Sequence, residues 1–191
     1  LALARLGAKV TTTEASCKEK GAENCKCWGC VEQLRRGVQA EGCTTATSGA
    51  HAEFDVNGEK VGQIVVAQLD WGEDGYGKDG ALMAHCDGGT EFDMVVMSEV
   101  VYNQSDDSLY DDEYHDNLAW TLSRFVSKPG TKIFNIFVDR PFSFMFFAKL
   151  GDLPGKPFEV KQIEESDYDS AGFVDEDAKI HMHEITFVGP R

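Results

Sequence analysis

The chain lacks any apolar run of membrane-span length, and it lacks the charged, apolar and small-residue succession of a secretory signal. Those two absences point to a soluble intracellular protein with no membrane partner. Basic residues are scarce as well. Eighteen Lys and Arg stand against 33 Asp and Glu, a net charge of −15, so there is no basic patch to displace counterions from a nucleic-acid backbone. Nucleic acid is therefore not expected as a partner, whereas a basic protein is easily accommodated. A pair of separated C-x-x-C knuckles is also missing. The cluster Cys25-Lys-Cys27-Trp-Gly-Cys30, flanked by Cys17 and Cys43, holds enough thiols for zinc. Its C-x-C-x-x-C spacing and the lack of a nearby histidine favour reduced thiols in an insertion, and no metal site is expected.

What is present is core material. With 191 residues, 42% hydrophobic and 10% aromatic, the chain reads as a single domain over residues 1–191, interrupted by an insertion at 17–29. The central stretch is Glu91 to Asn103. Phe92, Met94, Val95, Val96 and Met97 form a nearly continuous apolar run, the pattern of a strand buried on both faces of a parallel sheet. It stops at Ser98 and Glu99, which places a carboxylate just past a strand end, where open α/β sheets bind ligands.

The rest of the chain supplies the other elements in order. Leu1 to Leu6 reads as the last turns of a helix capped by Gly7, followed by a strand from Ala8 to Thr13 that ends in Glu14. A helix closing directly into a strand is the second half of a strand-helix-strand unit, so the first strand is expected ahead of Leu1. Val31, Leu34 and Val38 recur at helical spacing. Ala52 to Asp55 and Gln63 to Leu69 read as strands. Gly72, Gly75 and Gly77 suggest a turn, because no helix N-terminus follows them to complete a phosphate cradle.

Leu118, Leu122, Phe125 and Val126 share one helical face, with acids in the first turn and Pro129-Gly130 beyond the end. Asp106 and Asp107 remain as loop charges able to attract a cation. Thr131 to Val138 is a third buried strand, Asp139-Arg140-Pro141 opens an apolar helix through Leu150, and Phe158 to Glu164 and Lys179 to Val188 alternate as an antiparallel pair. His181 and His183 fall on one face of the last strand. They lack an identifiable third ligand, so packed or surface histidines are expected. The order predicts an α/β fold, mostly parallel with an antiparallel C-terminal strand pair.

Taken together, Leu6-Gly7-Ala-Lys-Val10 with Glu14, Leu69-Asp-Trp71-Gly72, Phe92-Asp93 leading to Ser98-Glu99-Val-Val-Tyr102, and Arg140 before the Phe146-Phe147 helix form a set of ordered motifs. The set resembles the seven-beta-strand methyltransferases of the METTL21-like protein-lysine methyltransferase group. The resemblance spans nearly the whole chain apart from the cysteine-bearing insertion. It implies a Rossmann-like class I methyltransferase sheet, with S-adenosyl-L-methionine as cofactor and a lysine-bearing protein as substrate. A cytoplasmic, and also nuclear, monomer is the matching expectation.

Residue by residue, the resemblance gives Glu14 the ribose hydroxyls, Trp71 the adenine with Asp70 beside it, and Ser98 a close contact with the cofactor. Glu99 and Tyr102 match an Asp-x-x-Tyr motif at the substrate side. A carboxylate raises an amine pKa, so Glu99 suits orienting an ammonium better than acting as a strong base, while Tyr102 lines the channel. Two departures stand out. Glu99 is longer than the expected Asp by one methylene, and the central first strand with its glycine-rich turn is missing. On that expectation the 191-residue chain alone folds poorly and binds cofactor weakly or not at all. A non-catalytic binding protein of the same fold and a small-molecule N-methyltransferase stay open as alternatives.

Overall fold

The computed structural model describes residue 3 and residues 6–14, 31–40, 50–56, 59–74, 92–101, 112–126, 128–138, 143–155, 157–167 and 179–189. The cysteine-bearing stretch 17–30, Cys43, Gly75, Gly77, Tyr102, Asp106, Asp107 and Asp139 to Pro141 lie outside them. The chain is a mixed α/β protein divided into two compact units, Leu1–Gly89 and Thr90–Arg191.

In the first unit the expected helix closure before the first strand is present. The Ala8 N–H donates to the Leu3 carbonyl at 3.1 Å and Gly7 has φ 96°, the hydrogen bond and left-handed glycine of a Schellman cap. The chain then enters β1 (Lys9–Glu14) and continues through α1 (Val31–Ala40), β2 (Ala50–Val56) and β3 (Glu59–Gln68). The sheet order is β1-β3-β2. β1 runs parallel to β3 from Lys9↔Gln63 to Glu14↔Gln68, and β2 pairs antiparallel to β3 with a register shift between Phe54 and Asp55. Flanked on both edges, β3 buries four consecutive residues, Ile64 to Ala67, as a strand covered on both faces must. Val38 of α1 is buried, Leu34 half-buried, and the helix packs against β3 and β1.

The second unit contains β4 (Met94–Ser98), α2 (Asp112–Phe125), β5 (Lys132–Val138), α3 (Met145–Gly151), β6 (Phe158–Ile163) and β7 (Ile180–Phe187), with a single 3-10 turn at Glu165–Asp167. Its sheet order is β4-β5-β7-β6. β4 is parallel to β5, and β7 is antiparallel to both β5 and β6. Counting the β2–β3 hairpin, two ladders are parallel and three antiparallel among the described residues. The described sheets are therefore mixed, and the expectation of a mostly parallel sheet does not hold for them. The reason is that β7 inserts between β5 and β6 and contributes two antiparallel ladders by itself.

Burial of β4 also differs from the expectation of a strand covered on both faces. Met97 is buried, but Met94 and Val96 are 44% and 53% exposed. β4 has β5 as its ladder partner on one side, and its 94/96 face has no described cover. An apolar run reveals hydrophobic residues but not what lies over them. The opposite face of the sheet holds the core, where Ile133, Phe137, Ile185 and Phe187 lie under Phe146 and Leu150, all nearly inaccessible. Each such side chain stabilises the fold by roughly 1.5–3 kcal/mol relative to exposure.

Helix α2 buries His115, Leu118, Ala119, Leu122 and Thr121, a stripe at helical spacing that includes the expected Leu118 and Leu122. Asp116 of α2 pairs with Lys149 of α3 at 3.2 Å. At the far end of the sheet Gly189 has φ +90°, and an added Cβ would lie 2.8 Å from Pro129 Cγ, so glycine is needed for both backbone and space. No described helix is long and apolar enough to cross a membrane.

Candidate functional site

The residues singled out by motif fall at the carboxyl ends of the two parallel strand pairs, one pair in each unit. In the first unit Glu14 is the last residue of β1, directly across from Gln68. Its carbonyl accepts the Leu69 N–H at 2.9 Å, which carries the ladder one step beyond β3. Gln68 Nε2 donates to Asp70 Oδ2 at 2.9 Å and so fixes the Asp70 carboxylate at this end of the sheet. Trp71 follows, half-buried, and the chain turns at Gly72 with φ 91°. Glu14, Gln68, Asp70 and Trp71 thus share one end of the sheet, with two carboxylates and one flat aromatic face among them.

In the second unit Ser98 closes β4 opposite Ile136 and is exposed. The next residue turns sharply: Glu99 has φ 54°, and no other described non-glycine residue has a positive φ. This left-handed conformation costs a residue with a Cβ on the order of 1–3 kcal/mol. Two hydrogen bonds hold it there. The Glu99 N–H donates to the Ile136 carbonyl at 2.9 Å, and the Val138 N–H donates to Glu99 Oε1 at 2.7 Å. The carboxylate therefore substitutes for a strand carbonyl and extends the β5 edge past the end of β4, in a short, charge-assisted bond.

The following residues are pinned by side chains from elsewhere in the unit. Tyr114 of α2 donates its hydroxyl to the Val100 carbonyl at 3.2 Å. Ser143, just before α3, donates Oγ to the Val101 carbonyl at 3.3 Å, and Val101 itself is buried. Tyr102 lies outside the described residues. At the entry to β4, Phe92 packs edge-on against Phe125 at 5.8 Å between ring centres.

His181 and His183 do share a face, and they pack as expected. Their rings stack 6.2 Å apart, and His183 lies against Phe137 at 5.7 Å and Phe147 at 4.5 Å. Among the described residues no three His, Cys, Asp or Glu side chains form a group able to hold a metal.

Sequence reasoning did not anticipate Gln68, Tyr114, Ser143 or the Val138 N–H. Gln68 had a local signal in its spacing of two residues from Asp70. The other three act across 14, 42 and 39 residues, and nothing in a linear pattern marks such partners. Compared with known protein-family models and with curated proteins, the chain matches none.

Proposed function

We propose that the protein is an S-adenosyl-L-methionine-dependent methyltransferase with a Rossmann-like sheet, acting on lysine side chains of a protein substrate in the cytoplasm or nucleus. The observation that carries the reading is the position of the motif residues. Glu14, Asp70 and Trp71 lie at the carboxyl ends of β1 and β3, and Ser98 and Glu99 at the carboxyl end of β4 beside β5, the ends at which α/β sheets take ligands.

The donor set fits the cofactor chemically. The Glu14 carboxylate is suited to accept hydrogen bonds from two ribose hydroxyls, and Trp71 offers a flat face to an adenine. When bound, the cofactor supplies an electrophilic methyl group on a sulfonium. The chain's own task is to hold an amine in line and keep water away. In this reading the negative charge of Glu99 orients the incoming ammonium, and Tyr102 keeps the substrate-side role that the motif resemblance gives it. Deprotonation of the amine is favoured by its desolvation and opposed by Glu99, so Glu99 acts as a positioning group rather than as a base.

The decisive test is transfer of an isotope-labelled methyl group from S-adenosyl-L-methionine to lysine in cell proteins, read by mass spectrometry. Labelled lysine is expected with the parent protein and should be lost in Glu14→Ala. Labelling of free amines alone would select the small-molecule reading. A specific observation favours the non-catalytic alternative: one Glu99 oxygen is already engaged by Val138. If S-adenosyl-L-methionine binds but no methyl group moves to any acceptor, a binding protein of this fold is the better account.

A further inference from the structure

The helix-covered face of the second sheet contains a polar defect that the proposed chemistry does not use. Asn135, in the middle of β5, is 0% exposed, and neither its Nδ2 nor its Oδ1 has a hydrogen-bond partner. Directly across the antiparallel ladder stands His183 of β7, whose Nδ1 is likewise buried and unpartnered. Buried polar atoms are nearly always satisfied, so three such atoms at one cross-strand pair mark a weak point. The His183 ring is half-buried, its Nδ1 side turned inward, stacked on Phe137 of β5 at 13° and touching Phe147 of α3.

We infer that the Asn135–His183 pair is an acid-sensitive device: protonation of His183 loosens the contact between β7 and α3 and destabilises the 90–191 unit in mildly acidic solution. Among the described residues, a cation at this position finds no carboxylate. On its own strand the neighbours are His181 on the same face and Glu184, which alternates to the opposite face and pairs there with Lys132 at 2.9 Å. β6 places Gln162 opposite His183, and its Glu159 and Lys161 alternate to the other face. On α3 the charged residue is Lys149, already paired with Asp116 of α2. α2, which packs on α3, carries the buried His115, a further site for positive charge rather than a counter-ion.

Burial, and after it the neighbouring His181, holds the His183 imidazole below its ordinary value of 6.5. On acidification the unfolded chain therefore takes up the proton first. The contribution of this group to stability is full above about pH 6.5 and is lost as the pH falls from there through the folded-state value.

The experiment uses the 191-residue chain, with urea midpoints measured between pH 8 and 5 for the parent, His183→Phe and His181→Phe. The histidine ring resonances are titrated by NMR in parallel. The parent midpoint is expected to fall below pH 6.5, His183→Phe to flatten that fall, and His181→Phe to keep most of it. The Phe147 ring resonances should move with the same midpoint as His183. Equal falls in the parent and His183→Phe would overturn the proposal. Should His183→Phe fail to fold, the parent's own titration decides. A His183 midpoint below 6.5 that moves Phe147 supports the device. A midpoint at or above 6.5, as would follow if Asn135 Oδ1 accepted the new N–H, overturns it.

Discussion

Glu14 and Glu99 both stand at the end of a parallel strand, yet the fold treats them differently. Glu14 completes β1 within the ladder, opposite Gln68, and its backbone has an ordinary negative φ. Glu99 lies one residue beyond β4 in a left-handed conformation, and its side chain closes the edge of β5 through Val138. The first position is held by the backbone ladder of β1 and β3, which continues through the Glu14 carbonyl to Leu69. The second has side chain and backbone tied together, so a change there alters structure and chemistry at once. On the proposed methyltransferase reading, any role of Glu99 toward substrate is therefore inseparable from the fold around it.

The largest break in that comparison comes from beneath Glu99. Met97 is the buried residue of β4, and Met97→Ala is expected to cost about 2–4 kcal/mol in urea unfolding. A cost under about 1 kcal/mol would mean that β4 adds little to the core. Glu99→Ala comes next, at about 1–2 kcal/mol for the lost charge-assisted bond. Glu99→Gly loses the same bond but accepts φ 54° readily, so it should be the more stable of the two by about 1 kcal/mol. Equal stabilities would show that the left-handed backbone carries no strain. The smallest stability effect is expected for Glu14→Gln, about 0.5 kcal/mol or less. In titration calorimetry, however, it should weaken S-adenosyl-L-methionine binding by about tenfold, and unchanged affinity would remove Glu14 from the cofactor assignment.

Much of the architecture was legible because periodicity is local. The alternation of Phe158–Ile163 and Ile180–Phe187, the helical stripe through Leu118 and Leu122, and the glycine closure at Gly7 each follow from a few neighbouring residues. The strand ends were legible for the same reason, and Glu14, Asp70, Ser98 and Glu99 fall where their runs stop. Less legible was the cover over β4, since Met94 and Val96 are as apolar as Met97 yet exposed. The buried Asn135 was hidden too, lying in an otherwise apolar strand with its polar neighbour, His183, 48 residues away in sequence.

The sequence by itself determined most of the segments that became strands and helices, because side-chain period and turn chemistry act over a few residues, while boundaries such as the starts of β3 and α3 shifted by several residues. Only the tertiary structure decided that β7 takes the place between β5 and β6, that Met94 and Val96 of β4 are exposed, and that Glu99 takes φ 54° with its carboxylate on Val138. Those outcomes depend on which distant segments meet. The free energy of a hydrogen bond or a buried face exists only once both partners are in place, and no pattern along one segment records the other.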